Sequence, residues 1–275
     1  MTTPETAAAA WRGPREAVTF FVIGLIAGLL SGMFGVGGGV VIVPALVFAL
    51  RMAQKRASNT SLAVIVPVAV VGIVSYAVSG SLDASAWVPG LILGAGGVVG
   101  SIIGAKLLPL IPVAVLQLGF SGLMVIAIIS LFLVIPTRGE PFPLTAWASV
   151  GLVFLGLAVG ILSKLLGVGG GIIIVPVLLL IFGVSDLLAR VTSLIAMVPT
   201  AIAGTVDSVR SGKADFVGAA FLALGAILTP PVGAWLAQTV DPFTGNVLFA
   251  IFLAGISIQL FLRGLKGLRA KEAGA

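Results

Sequence analysis

The chain has 275 residues, 59% of them hydrophobic and only 9% charged, with a mean hydropathy of +1.27. A soluble fold of this size has no interior large enough for so much apolar surface, so the composition reads as an integral membrane protein embedded in a lipid bilayer. The absence of cysteine and histidine excludes disulfides, thiol chemistry, haem ligation and ordinary zinc sites, and no cofactor or metal is expected. The formal charge of +6 is spread in short clusters between apolar runs rather than along one amphipathic face, which marks topology determinants and argues against a nucleic-acid partner.

In chain order, residues 1–16 read as a cytoplasmic N-terminal tail. Arg12 and Arg15 then precede an apolar run over residues 17–30 that superficially resembles a secretory signal. No small-x-small cleavage pattern closes that run, and a counterpart recurs mid-chain at residues 147–162, so it belongs to the fold. It leads into a glycine-rich block, Ser31-Gly-Met-Phe-Gly-Val-Gly-Gly-Gly-Val-Val-Ile-Val-Pro44, that returns 132 residues later as Ser163-Lys-Leu-Leu-Gly-Val-Gly-Gly-Gly-Ile-Ile-Ile-Val-Pro176 with nine of fourteen positions identical. The same offset carries Thr60-Ser61-Leu62 to Thr192-Ser193-Leu194, Pro67 to Pro199, Gly72 to Gly204 and Asp83 to Asp215. Past about residue 95 it falls to 129, with Gly104-Ala105 answering Gly233-Ala234.

Two repeats follow from this, at residues 17–136 and 146–268, joined by a proline-rich loop at 137–145 and followed by a C-terminal tail at 269–275. Each repeat holds a glycine-interrupted apolar stretch (18–50; 147–183) and three uninterrupted spans (60–79, 86–108 and 113–135; 191–209, 215–237 and 244–262). Spans of about 20 residues at about 1.5 Å each cross a hydrocarbon core of about 30 Å, which predicts an all-α membrane protein.

Lysine and arginine placement decides whether the interrupted stretches cross once or turn back. As hairpins they give each repeat an odd number of crossings and invert the second repeat. Twelve basic residues then face the cytoplasm and two, Arg138 and Arg190, face outside. Single crossings give nine against five. The expected fold is therefore two inverted-topology repeats, each a glycine-broken helical hairpin plus three transmembrane helices, in the plasma membrane with both termini cytoplasmic. Residues 40–50 make only about 17 Å of helix, so the glycine turns are expected inside the membrane, approaching each other near its midplane. Irregular backbone at that depth requires surrounding protein or a water-filled cavity.

The candidate substrate-binding residues lie around these turns. Gly35, Gly37, Gly38 and Gly39, with Gly167, Gly169, Gly170 and Gly171, free backbone N–H groups at the start of a short helix, where an anion is favoured. The competing reading is close packing, which the spacing of Gly24, Gly28 and Gly32 and of Gly156 and Gly160 also suggests. Helix contact does not need three consecutive glycines, and this favours a site in the two runs. Asn59, Thr60, Ser61, Thr192 and Ser193 are read as starting the next helix, either capping it or donating to a ligand. Pro67 and Pro199 would kink their spans. Lys164, at the place held by Gly32 in the other half, is a cation at a glycine turn, serving a partner or substrate or else snorkelling to the surface. Asp207 and Arg210 are read as an interfacial ion pair, with a proton-linked gate as the alternative. Asp83, Asp207 and Asp215 are proton-carrier candidates that equally suit ordinary loop carboxylates.

At these residues the chain resembles the TauE/SafE family of membrane proteins, the sulfite exporter family. The resemblance rests on the paired G-x-G-G-G blocks followed by I-V-P, the Thr-Ser-Leu after each and the total length, and covers about residues 18–268. It implies a multipass plasma-membrane exporter of small sulfur-containing or organic anions such as sulfite or sulfoacetate, coupled to the proton-motive force, with protons as the coupling ion. It also implies that the two turns and their neighbouring Thr and Ser residues meet at the transport site. The expected function is a secondary transporter with alternating access. A channel-like anion conduit without coupling is the alternative, and an enzyme is not expected. The sequence assigns no oligomeric state.

Overall fold

A computed structural model describes residues 13–133 and 145–273, so most of the expected N-terminal tail and the joining loop lie outside the described residues. Eleven α-helices are described: α1 Pro14–Phe34, α2 Gly39–Ala49, α3 Gln54–Val78, α4 Trp87–Leu107, α5 Val113–Leu133, α6 Ala146–Leu166, α7 Gly171–Leu180, α8 Asp186–Arg210, α9 Phe216–Ala226, α10 Pro230–Thr239 and α11 Pro242–Ala273. A 3₁₀ turn, Ala84–Ala86, leads into α4, and no strand occurs among the described residues. The 132-residue offset holds for the starts of α1 and α6, α2 and α7, and α3 and α8.

Six of these helices are long and apolar enough to cross a membrane, and the bent pair α9–α10 makes a seventh. The expected uninterrupted span at 215–237 is thus corrected: it is broken between Ala226 and Pro230 and bent by 42°. Pro230 and Pro231 carry no N–H to continue the ladder. The hydroxyl of Thr229 in the break donates to the carbonyl of Leu25 in α1 at 2.7 Å. Helices α2 and α7, with 11 and 10 residues, reach only about 17 and about 15 Å and stop short of a crossing.

The two halves are interleaved. Helix α1 runs along α9 and α10, and α6 runs along α4, so each half's first helix packs on the other half. The small-residue ladders make this contact: Gly24 and Gly28 lie on the backbone of Leu222 and Ala226, Gly32 on Pro230, Gly156 on Leu93 and Gly160 on Gly97. The packing reading of those glycines holds, because a side chain there would meet backbone that cannot rotate away.

Helices α3 and α8 cross at the centre with reciprocal contacts. A Cβ at Gly72 would lie 3.0 Å from the Leu194 side chain, and one at Gly204 would lie 2.9 Å from Leu62, the equivalent pair at the same offset. Buried Phe, Leu, Ile and Val side chains fill the interior, while Val18, Ile26, Trp147, Phe154, Ile202 and Leu224 stand exposed on the outer wall, as lipid requires.

Candidate functional site

The glycine turns are built by backbone conformation. Gly35 closes α1 in the left-handed region at φ +67°, its N–H bonded to Ser31 O at 2.8 Å, and Gly167 closes α6 at φ +74° with the Ser163 carbonyl at 2.7 Å. Gly37, Gly38, Gly169 and Gly170 also have positive φ, where L side chains are strained. Gly38 and Gly170 cap the short helices, and the first ladder bonds run from Val41 and Ile42 to Gly38 O and from Ile173 and Ile174 to Gly170 O. The N–H groups of Gly39 and Val40, and of Gly171 and Ile172, are left outside those ladders.

The turns cross in direct contact. A Cβ at Gly39 would lie 2.6 Å from Gly167 O, and one at Gly171 would lie 2.7 Å from Gly35 O. Conformation and packing therefore account for all eight glycines by themselves, and the argument that packing needs fewer than three in a row does not hold. The ligand reading rests instead on two helix N-termini brought together and on the hydroxyls around them.

Those hydroxyls lie inside helices, which corrects the capping reading. Ser185 caps α8 and α3 starts at Gln54, so Asn59, Thr60, Ser61, Thr192 and Ser193 fall one to two turns in. Ser193 donates to Gly35 O at 3.0 Å, and Thr60 Oγ1 accepts from the Asp215 N–H at 2.9 Å. Ser61 and Thr192 are fully buried and have no hydrogen-bond partner, and neither have Ser31 and Ser163, the residues one turn before Gly35 and Gly167. A buried hydroxyl without a partner is costly unless something else satisfies it. All four belong to the duplicated motif. Between the turns sit the side chains of Ile65 and Met197, again equivalent positions, against Gly37 and Gly169.

Lys164 is wholly buried, and the snorkelling reading is overturned. Its Nζ donates to Asn59 Oδ1 at 3.0 Å, Gly204 O at 2.8 Å and Ser208 Oγ at 3.0 Å, and pairs with Asp207 Oδ2 at 2.8 Å. Asn59 is held in turn, its Nδ2 donating to Lys55 O at 2.8 Å. Asp207 therefore turns toward α6, and among the described residues no ion pair joins it to Arg210, because the desolvated ammonium attracts it more strongly than an exposed neighbour does.

A second cluster escaped the sequence reading. Arg190, taken there as a topology charge, is buried and forked onto Asp186, with Nε to Oδ1 at 2.8 Å and Nη2 to Oδ2 at 2.7 Å. Its Nη1 donates to the carbonyl of Met33 in α1, its guanidinium lies 5.8 Å from the Phe34 ring centre, and Gly35 packs on its backbone. Beside it Tyr76 donates its hydroxyl to Gly32 O at 2.7 Å. The i, i+4 spacing of Asp186 and Arg190 before Thr192 was the available signal. At the equivalent positions the first half has Gln54 and Ser58. Ser58 donates to Leu166 O at 3.1 Å and packs on Gly167, while the buried Gln54 amide has no partner.

The second half thus places one buried cation near each turn, Arg190 beside the first and Lys164 beside the second, and the first half has no cation at the equivalent positions. Lys164 stands where the other half has Gly32, and its partner Ser208 stands where the other half has Tyr76, the residue that bonds Gly32. Asp83 and Asp215 serve as helix caps, accepting from Ser85 N at 2.8 Å and Gly218 N at 3.0 Å. The Ser85 N–H holds the Asp83 carboxyl below the ordinary carboxylate range. Asp215 also lies 3.6 Å from Arg56.

A family model described as sulfite exporter TauE/SafE matches residues 3–131 and 152–274. The chain is 30% identical over 272 residues to the probable membrane transporter protein YunE of Bacillus subtilis, covering 90% of this chain and 98% of that protein. It is 26% identical over 211 residues to the probable membrane transporter protein YdhB of the same organism, covering 75% and 84% of the two chains. A probable membrane transporter protein of Haemophilus influenzae is 26% identical over 276 residues, covering 88% and 97%. No solved structure matches the chain.

Proposed function

The chain belongs to the sulfite exporter TauE/SafE family of membrane transporters, and from that membership we propose that it is a secondary transporter, an exporter of small sulfur-containing or organic anions such as sulfite or sulfoacetate, coupled to proton movement. The observation that carries this reading is the crossing of the two glycine turns, with the N-termini of α2 and α7 meeting among buried hydroxyls that have no partner. Helix N-termini and hydroxyls donate to an oxyanion, and the N-terminal partial charges favour it. Among the described residues no group of three or more Asp and Glu side chains offers a metal-cation site.

The substrate would sit among Gly35, Gly37, Gly38, Gly39, Ser61, Gly167, Gly169, Gly170, Gly171, Thr192 and Ser193, with Asn59, Thr60 and Lys164 beside it. Alternating access would come from movement of two inverted repeats in the plasma membrane, both termini cytoplasmic. The reciprocal contacts of Gly72 with Leu194 and Gly204 with Leu62 support that arrangement, as does the charge asymmetry between loops.

The test is flux of labelled sulfite, sulfoacetate and sulfate in proteoliposomes, with and without an imposed proton gradient. Saturable flux with counterflow and gradient dependence is expected. Non-saturable flux without counterflow would establish an uncoupled conduit instead, and absence of flux for all three would remove the anion assignment.

A further inference from the structure

Asp207 stands where a bound anion would stand. Its carboxylate lies 2.8 Å from Lys164 Nζ, yet its side chain is 46% exposed while that of Lys164 is fully enclosed. The other acceptors around the ammonium, Asn59 Oδ1, Gly204 O and Ser208 Oγ, are neutral and buried or main-chain. Asp207 is therefore the acidic member of the cage and the one that is not enclosed by protein. Ser163 and Thr205, next in sequence to Lys164 and Gly204, also carry buried hydroxyls with no partner.

We propose that Asp207 is a built-in counter-anion that competes with the transported oxyanion for Lys164, and that a proton on Asp207 decides the competition for the substrate. This rests on the anion-transporter reading above. With Asp207 ionised, the pair is neutral and the cage closed. A proton from water converts the carboxylate to a neutral acid and leaves a buried ammonium without a counter-charge, a costly state that an incoming anion relieves. One proton and one monoanion enter together, so the cage stays neutral in both states. The groups that face it are Asp207 and Ser208 from α8, Asn59 from α3 and the charge of Lys213 just after α8, while α4 presents glycine backbone, with Gly104 against the Lys164 Cβ.

The Arg190–Asp186 pair cannot act this way. A guanidinium stays protonated, and both of its partner's oxygens are held in a fork at 8% and 15% exposure. Coupling through Lys164 and Asp207 carries the proton in the same direction as the anion. Export then runs down the anion's own outward gradient, and an inward proton gradient opposes it.

The experiment is a titration of the purified full-length protein with methanesulfonate and with acetate over a pH series, both probes being monoanions of constant charge near neutrality. In the wild type the dissociation constant should rise with pH across the series, approaching about tenfold per pH unit, the slope of one linked proton. Asp207→Asn should bind at least one probe independently of pH and about tenfold or more tighter at neutral pH, with Asp207→Ser as a second variant should the first fail to fold. Lys164→Met/Asp207→Asn removes both charges, so it should fold and bind neither probe. A wild-type constant flat with pH, an Asp207 variant that is folded but binds no probe, or undiminished binding by the double variant overturns the proposal. If proteoliposome flux persists in those cases, the transporter reading stands without it, and if neither flux nor binding occurs, both fall.

Discussion

Gly39 packs on the carbonyl of Gly167, leaving 2.6 Å where a Cβ would stand, and the contact is answered 132 residues on by Gly171 against Gly35 O at 2.7 Å. The opposing atoms are backbone, which cannot rotate away. Gly39→Ala and Gly171→Ala should each lower stability by about 1–3 kcal/mol or more, read as a drop in thermal unfolding temperature in detergent. Gly212 has φ +62° with nothing within 4 Å of its Cβ direction, so Gly212→Ala should cost only about 1–2 kcal/mol of left-handed strain. Equal losses at all three positions would show that the crossing is not tight. Gly38→Val and Gly170→Val are poor functional probes because φ of +73° and +91° makes them strain the fold as well.

Ser61→Ala and Thr192→Val separate site from scaffold. Neither hydroxyl has a partner, so their removal breaks no hydrogen bond and should leave the melting temperature unchanged or raised. Transport, in contrast, should fall by tenfold or more, on the order of the 1.4 kcal/mol that one hydrogen bond to an anion supplies. Unchanged flux in both variants would remove these hydroxyls from the site. Ser193→Ala, which frees Gly35 O, should cost stability as well.

Arg190→Met leaves Asp186 buried without its fork and Met33 O without a donor. The expected loss is about 3–5 kcal/mol, and Arg190→Lys should recover only part of it because an ammonium cannot make the two parallel bonds. Asp186→Leu combined with Arg190→Met should be milder than either change alone. Chemical denaturation of the four proteins forms the cycle, and additive losses would show that the pair is not coupled.

Tyr76→Phe removes the donor to Gly32 O with little change of shape. A loss of about 0.5–1.5 kcal/mol is expected by thermal unfolding, and no loss would mean that the carbonyl finds another donor.

Much of the fold was legible because its determinants are local. Composition sets the solvent, apolar run length sets the spans, and glycine repeats mark the breaks at Gly35–Gly39 and Gly167–Gly171, where the helices end. The break in α9–α10 was missed although Pro230-Pro231 announces it, because apolar continuity was weighted over proline. The helix starts at Gln54 and Asp186 were placed about five residues late, since polar residues near a helix end read as caps. Charged contacts were less legible: Asp207 was paired with its sequence neighbour Arg210, and Arg190 was counted as a loop charge.

The sequence by itself determined a membrane-embedded, duplicated, all-helical chain with a glycine turn in each half, because hydropathy and φ preferences act over a few residues. Only the tertiary structure decided that the turns touch, that each half's first helix packs on the other half, that the buried Lys164 finds the carboxylate of Asp207, and that Arg190 finds the carbonyl of Met33. Those outcomes depend on which residues the fold brings into contact from different helices. Desolvation then makes a buried cation such as Lys164 take the counter-charge that the packing delivers, and no local pattern of residues specifies that one.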